Sequence, residues 1–304
     1  MPPAAPGIHL LHKPIGPTSF TLVKAELDAL ASRTARQGRR LPRLCHGGTL
    51  DPFASGLLLI LVEPATRLFD HLHDIPKIYE LSIRWGIETD NGDPLGKVVL
   101  QGDASHLSPQ LLEESLATFH GWQEQVPPAT SAKRIDGERA YEKAHRGETV
   151  ILPPSRVYLH EALWLSHDLP RESRLRVTVR GGFYVRALVR DLGRRLRCGA
   201  FVSALHRTAI GPWRDPGPGQ RVEVHGADLM PWLPTRMLSD QDVGDLRQKQ
   251  PIAAGGLLAP TWPLPAGFPQ SRPLVRGFHR DLFCFLLADN EGQLTVLSSF
   301  SGGL

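Results

Sequence analysis

Cysteine is scarce in this chain. Cys45, Cys198 and Cys284 are odd in number and show no C-x-x-C spacing, which excludes a disulfide framework and fits a reducing cytosol. Long apolar runs are also missing. The longest, residues 57–62, is far too short to span a bilayer, so no membrane association is expected. Residues 1–7 are rich in Pro and Ala but lack a basic start followed by an apolar stretch, so no secretory signal is expected and the protein is placed in the cytoplasm. Metal-ligand spacing is absent. His71 and His73 have no third-ligand motif nearby, and His9 and His12 fall on a strand and its turn, so no metal site is expected. No P-loop is present, because no Lys follows Gly47-Gly48 in the required place.

Carboxylates are missing where arginines crowd. Residues 30–50 hold five arginines (Arg33, Arg36, Arg39, Arg40, Arg43) and no Asp or Glu. Residues 171–197 hold nine arginines against Glu172 and Asp191 alone. The net charge of the whole chain is only +4, so the distribution says more than the total. One such stretch reads as a solvated face; two point to a polyanion, most simply nucleic acid.

What is present suits a folded protein of 304 residues, 41% hydrophobic and 22% charged, sized for one large domain and one small one. Residues 8–11 predict a strand stopped by Pro14 and Gly16, and Thr18 or Ser19 is placed to cap a helix reaching about Ala31. Residues 33–44 read as a basic, flexible insertion. The run 57–62 predicts a strand buried on both faces. Tyr79, Leu81, Ile83 and Trp85 alternate as in a half-buried strand, and 89–96 (TDNGDPLG) is a turn-rich loop. Ser108-Pro109 opens a helix. Leu175, Val177 and Val179 alternate as a strand. Val185, Leu188, Val189, Leu192 and Leu196 then recur at helical spacing up to Gly199, with Arg186, Arg190, Arg194 and Arg197 on the other face. After Pro231 the pattern changes to short strands between Gly and Pro turns. Strands and helices interleave without a strict βαβ rhythm, which predicts an α+β fold with a mixed sheet. The expected division is a large domain over 1–235, with insertions near 33–44 and 126–150, and a small β-rich domain over 236–304.

The densest segment is His46-Gly47-Gly48-Thr49-Leu50-Asp51-Pro52, running through Phe53-Ala54-Ser55-Gly56 into the buried strand. The two glycines permit backbone shapes closed to other residues, and Pro52 pushes Asp51 toward an extended conformation. A carboxylate held on a stiff turn beside a core strand is a sound platform for catalysis. On local sequence alone, however, an Asp-Pro turn without chemistry is the simpler account.

HGGTLDPFASGLLLILVEPATRL resembles the signature of the TruB family of pseudouridine synthases. Four further segments follow in family order. Leu11-His12-Lys13-Pro14-Ile15-Gly16-Pro17-Thr18-Ser19 resembles L-D-K-P-x-G-x-T-S, and Lys77-Ile78-Tyr79 resembles K-x-Y. Pro127-Pro128 with Ser131-Ala132, Gly137 and Tyr141 resembles P-P-x-x-S-A…G…Y. Gly182-Phe183-Tyr184-Val185-Arg186 with Asp191-Leu192-Gly193 and Cys198-Gly199-Ala200 resembles G-T-Y-I-R…D-L-G…C-G-A. The departures are His12 for Asp, Phe183 for a small hydroxyl residue, Lys133-Arg134 for an apolar residue followed by Lys, and His145 for Arg.

The resemblance implies a pseudouridine synthase catalytic domain with a C-terminal PUA-like RNA-binding domain, acting on the uridine at position 55 in the T-loop of tRNA. It implies a reaction without metal or organic cofactor, with the tRNA T-arm as partner, no protein partner required, and a monomer. It gives Asp51 the essential carboxylate, Arg186 as its ion-pair partner and Tyr79 as the ring that stacks on a flipped uracil. His46 would fill the gap in the RNA stack. Leu205, Tyr184, Lys13 and Arg134 complete the expected substrate contacts. Two other readings stand beside this one: a synthase for another RNA, including the guide-RNA-dependent relatives, and a non-catalytic RNA-binding or RNA-folding protein on the same scaffold.

Overall fold

The computed structural model describes residues 6–34, 40–131, 133–135, 138, 139, 146 and 152–304. Part of the 33–44 stretch lies outside the described residues, as do Ala132, Gly137, Tyr141 and His145.

The first strand, β1 (Gly7–Lys13), is followed by helix α1 (Ser19–Thr34), β2 (Leu44–His46), β3 (Ser55–Val62), a 3-10 segment (Ala65–Asp74) and β4 (Lys77–Trp85). A ribbon of β5 (Ile87–Thr89) and β6 (Val98–Gln101) precedes α2 (Pro109–Ala117) and β7 (Gly121–Gln125). The short strands β8 (Arg134–Ile135) and β9 (Glu138–Arg139) lead to β10 (Ser155–Asp168), β11 (Glu172–Val179), α3 (Val185–Arg195) and β12 (Ala200–Ile210). The strands β13 (Trp213–Arg214) and β14 (Arg221–Val224) end this part. The main sheet runs β14-β1-β3-β12-β4-β11-β10-β7, with β2 on β3 and β13 on β12. Every pairing is antiparallel except β3 with β12, so the sheet is mixed and the fold is α+β, as the interleaved pattern predicts.

The unbroken apolar run of β3 has a simple cause. Side chains alternate across a strand, and both faces of β3 are covered. Leu58 and Ile60 pack on Val23 of α1, with Leu22 and Leu44 nearby. Leu57, Leu59 and Leu61 face the other way, into a core with Leu68 and Leu72 of the 3-10 segment. That second core continues into a six-stranded sheet formed by β15 (Thr235–Met237), β16 (Ile252–Ala253), β17 (Leu257–Leu258), β18 (Leu274–His279), β19 (Leu282–Asn290) and β20 (Gln293–Ser299). Phe278, Phe283, Leu286 and Phe300 pack in one cluster with Ile8, Leu10 and Leu57. The C-terminal strands thus share buried apolar surface with the main sheet while α4 (Asp240–Arg247) covers their other face.

The third core lies beneath the opposite half of the main sheet. Leu81, Ile83 and Trp85 of β4 and Leu175, Val177 and Val179 of β11 meet Leu188, Val189 and Leu192 of α3 and Leu112 and Leu116 of α2. Helix α2 starts as the Ser-Pro pair predicts, with Ser108 Oγ accepting from Leu111 N. At the start of α1 the cap belongs to Thr18, whose Oγ1 accepts from Thr21 N at 3.1 Å, and this leaves Ser19 for another purpose.

Gly56 shows how closely β3 and β12 approach. Its φ is +108°, and a Cβ there would stand 2.3 Å from Arg207 O and 2.7 Å from Arg207 N. Backbone cannot yield as a side-chain tip can. Gly56→Ala should therefore destabilise the fold by about 3 kcal/mol through overpacking and strain. Thermal denaturation checks this: an unchanged midpoint would contradict the packing described.

Candidate active site

The turn from Gly47 to Ala54 is held by groups from three other elements. From α1, Ser19 Oγ donates to Leu50 O (3.1 Å) and accepts from Leu50 N (2.8 Å). From β1, Lys13 Nζ donates to Ala54 O (2.7 Å), Pro14 O (2.9 Å) and, more weakly, Pro52 O (3.4 Å). From β12, Arg207 donates through Nε to Leu57 O (2.7 Å), Nη1 to Thr49 O (3.2 Å) and Nη2 to Gly48 O (3.1 Å). Gly47 N and Gly16 N add backbone bonds to Leu59 O and Pro52 O, each 2.8 Å long. Carbonyls that a tight turn would otherwise leave unpaired are thereby satisfied, and the turn has little freedom.

Asp51 sits on this turn and meets Arg186 from the first turn of α3. The guanidinium grips the carboxylate through two bonds, Nε to Oδ2 at 2.9 Å and Nη2 to Oδ1 at 3.2 Å. Nη1 donates to Thr130 Oγ1 (2.8 Å), Asn91 O (2.9 Å) and Asp93 Oδ2 (3.2 Å), and Arg186 is 5% exposed. The guanidinium cannot rotate without breaking several bonds, so it fixes the direction of the carboxylate. Burial pushes the Asp51 carboxyl above the usual carboxylate range, the Arg186 charge pulls it back, and Asp93 pushes it up again.

Asp51 and Arg186 line a cavity of about 460 Å³ together with His46, Tyr79, Tyr184 and Leu205. Tyr79 comes from β4 and Leu205 from the adjacent β12, where Arg207 stands opposite Tyr79 in register. The Tyr79 ring lies 6.0 Å from Arg207 Cζ. Tyr184 precedes α3, its N donating to Gln125 Oε1 at 2.9 Å, and burial raises its phenol while a bond to Ser131 opposes the shift. The His46 imidazole lies edge-on to Phe69, with ring centroids 6.4 Å apart.

Two expectations need correction. Lys13 does not face the cavity: it is 0% exposed, and its ammonium is turned into the backbone carbonyls beneath the Asp51 turn. Burial lowers its pKa to about 8, with Asp51 opposing and Arg207 assisting. Its described contacts are with the turn's carbonyls, and it is not among the residues lining the cavity. The second correction concerns the arginines of 171–197. Arg186 pairs with Asp51 and Asp93, Arg190 with Asp191, Arg194 with Glu88, and Arg180 with Asp74. Arg174 and Arg176 share Glu80, and Arg171 pairs with Asp168. Seven of the nine arginines are thus paired within the protein, whereas Arg195 and Arg197 are exposed and have no described ion pair. The Arg134 side chain lies outside what is described, whereas its neighbour Lys133 lines the cavity.

Several participants were not anticipated. Arg207, Asp93 and Thr130 carry no local signal, because each acts through contacts made only in the folded chain. His12, which departs from the family pattern, is paired with Asp215 (Nδ1–Oδ2, 2.8 Å). His9 pairs with Glu26 at 2.9 Å. Among the described residues no cluster of three or more His, Cys, Asp or Glu is arranged to hold a metal ion, and no helix is long and apolar enough to cross a membrane.

The mixed α+β sheet that carries this cavity has the fold of a pseudouridine synthase catalytic domain. A chain in the crystal structure of a Cbf5-Nop10-Gar1 complex has the same fold, with a TM-score of 0.62 over 96% of this chain and 84% of that one at 22% identity. Residues 36–185 match the family described as TruB family pseudouridylate synthase (N terminal domain). The tRNA pseudouridine synthase B of Syntrophobacter fumaroxidans is 40% identical over 228 residues, 75% of this chain and 71% of that protein. Its counterpart in Parasynechococcus marenigrum is 37% identical over 253 residues, 79% of this chain and 82% of that one. With the Thermotoga maritima counterpart the match is 37% over 206 residues, 68% of this chain and 63% of that protein, a little under two thirds of its length. The chain belongs to the TruB family of pseudouridine synthases.

Proposed function

We propose that this protein isomerises uridine to pseudouridine in tRNA, at position 55 of the T-loop, with Asp51 as its catalytic residue. The observation that carries this is the two-point grip of Arg186 on Asp51 at the cavity wall. Family membership and the tRNA named in its relatives' descriptions support the substrate class.

The reaction breaks the bond between uracil N1 and the ribose, turns the base, and rejoins it through C5. A base inside a folded RNA must first be flipped out, and the cavity beside Asp51 is the pocket that would receive it. Asp51 acts in its charged form, and Arg186 keeps it charged and aimed. Tyr79 offers its ring to the uracil and its hydroxyl to the proton that leaves C5, with Leu205 and Tyr184 bounding the pocket. His46, at the rim beside Phe69, takes the place the base vacates. The strands from residue 236 onward support RNA binding and not chemistry. A protein handling tRNA in this way works in the cytoplasm, as a monomer.

The direct test is chemical mapping of pseudouridine in an unmodified tRNA transcript after incubation with the purified protein. Conversion at uridine 55 and at no other uridine is expected. Conversion elsewhere would reassign the substrate, and binding without conversion at any uridine would favour a non-catalytic RNA-folding role. Tyr79→Phe keeps the ring and loses the hydroxyl, so turnover should fall by about a hundredfold, the usual size of a proton-transfer contribution, while affinity for tRNA stays within about threefold. Single-turnover kinetics beside a binding titration separate the two; wild-type turnover would reduce Tyr79 to a stacking platform.

A further inference from the structure

The strand that supplies Tyr79 also supplies Lys77, two residues away on the same face, and Lys77 lines the same cavity. Lys77 is 6% exposed, and among the described residues no hydrogen-bond acceptor or carboxylate pairs with it. Its charged neighbours from the other elements are cations or already engaged. Arg207 on β12 stands beside it: Lys77 Nζ and Arg207 Nη1 lie 3.6 and 3.9 Å from the point a Gly48 Cβ would occupy. Arg180, which follows β11, is bound to Asp74, and Asp74 also accepts from Ser271. His73 comes from the 3-10 segment and feels the Lys77 charge. Asp51 is held by Arg186.

A buried ammonium without a counter-ion is costly, and beside a second cation more so. Arg207 does not relieve it, since each of its nitrogens is committed to a carbonyl of Leu57, Thr49 or Gly48. A ligand that brings an anion would supply the missing partner. A nucleotide flipped into this cavity brings a phosphodiester on each side of its ribose. We propose that Lys77 is the anchor for a backbone phosphate of the flipped nucleotide, a positioning contact that sets where the ribose stops relative to Asp51. The proposal rests on the RNA-modifying reading above.

Proton linkage gives it an independent signature. Burial holds Lys77 down to about 7, and Arg207 and Arg180 push the same way. A phosphate against the ammonium raises that value, so binding takes up a proton. The contribution to affinity is full below about pH 7 and is lost as pH rises toward the value in the complex. His73 is held below the usual histidine range, chiefly by burial and then by the Lys77 charge.

The experiment uses tRNA transcripts in which the phosphate 5′ or 3′ to the target uridine is replaced by an uncharged methylphosphonate. Binding to the wild-type protein is measured at pH 6.5 and 8.5. Native RNA should bind about tenfold more weakly at the higher pH, and one of the two neutral linkages should cost about tenfold at pH 6.5 and abolish the pH dependence. Lys77→Met should lose as much on native RNA and nothing further on the neutral linkage, while Lys77→Arg should keep the affinity and lose the pH response. Wild-type binding indifferent to both linkages would overturn the proposal, and this arm needs no variant to fold. A Lys77→Met protein that still loses affinity on the neutral linkage would overturn it too. Isomerisation is scored in the same samples. Conversion of native RNA without any linkage effect removes the Lys77 assignment alone, whereas binding without conversion removes the parent reading and this one with it.

Discussion

Arg186→Gln is expected to slow pseudouridine formation by about a thousandfold or more, a loss of roughly 4 kcal/mol in transition-state stabilisation. Arg186 is the only residue that touches Asp51, Asp93 and Thr130 together, among the contacts described. Its loss leaves two neighbouring carboxylates without their common cation, and a broken buried ion pair costs about 3–5 kcal/mol of stability. Unfolding must therefore be separated from lost chemistry. Arg186→Lys serves that purpose, because it keeps the charge but cannot form the two-point grip. It should fold and still lose most activity. The pH profile adds a sign. Burial already raises the Asp51 carboxyl and Arg186 opposes that shift, so without the guanidinium the group rises further. In the proposed reaction the carboxylate is the active form, so the acid limb of the rate profile should move to higher pH in Arg186→Gln. Measured rates within tenfold of wild type, or an unmoved acid limb, would remove Arg186 from the mechanism.

Much of the scaffold was legible in the residues, for reasons the packing makes plain. The run 57–62 reads as doubly buried because α1 covers one face of β3 and the 3-10 segment and C-terminal sheet cover the other. The helix after Tyr184 reads clearly because its apolar stripe faces a single core. Asp51, Tyr79, Arg186, His46, Tyr184 and Leu205 do converge on one cavity. Asp51, Tyr79, Arg186, His46 and Tyr184 lie in family motifs and Leu205 follows from the resemblance, whereas local pattern makes Asp51 an Asp-Pro turn and Arg186 one more arginine.

What stayed hidden was tertiary. The partners of the 171–197 arginines, Glu80, Glu88, Asp74 and Asp93, lie about a hundred positions away, so a count of charges within a window misses the neutralisation. Lys13 sits in a motif beside the Asp51 turn, and whether its ammonium points at the cavity or at three carbonyls depends on backbone geometry that no residue type encodes. The attachment of the C-terminal strands was equally hidden. Phe278 and Phe283 share a core with Ile8 and Leu57, so removing residues from 236 onward would bare apolar surface of the main sheet.

The most direct measurement is pseudouridine formation by Asp51→Asn, scored on the same tRNA sample in which binding is titrated. Asn preserves the size of Asp, and the turn around it is held by Ser19, Lys13 and Arg207 through backbone atoms that the substitution leaves alone. Binding depends on phosphate contacts and base flipping, neither of which needs the carboxylate. Asp51→Asn should fold, bind tRNA within about tenfold of wild type, a difference of roughly 1.4 kcal/mol, and form essentially no pseudouridine. Pseudouridine formed by the folded variant at near the wild-type rate would contradict the assignment of Asp51 as the catalytic residue.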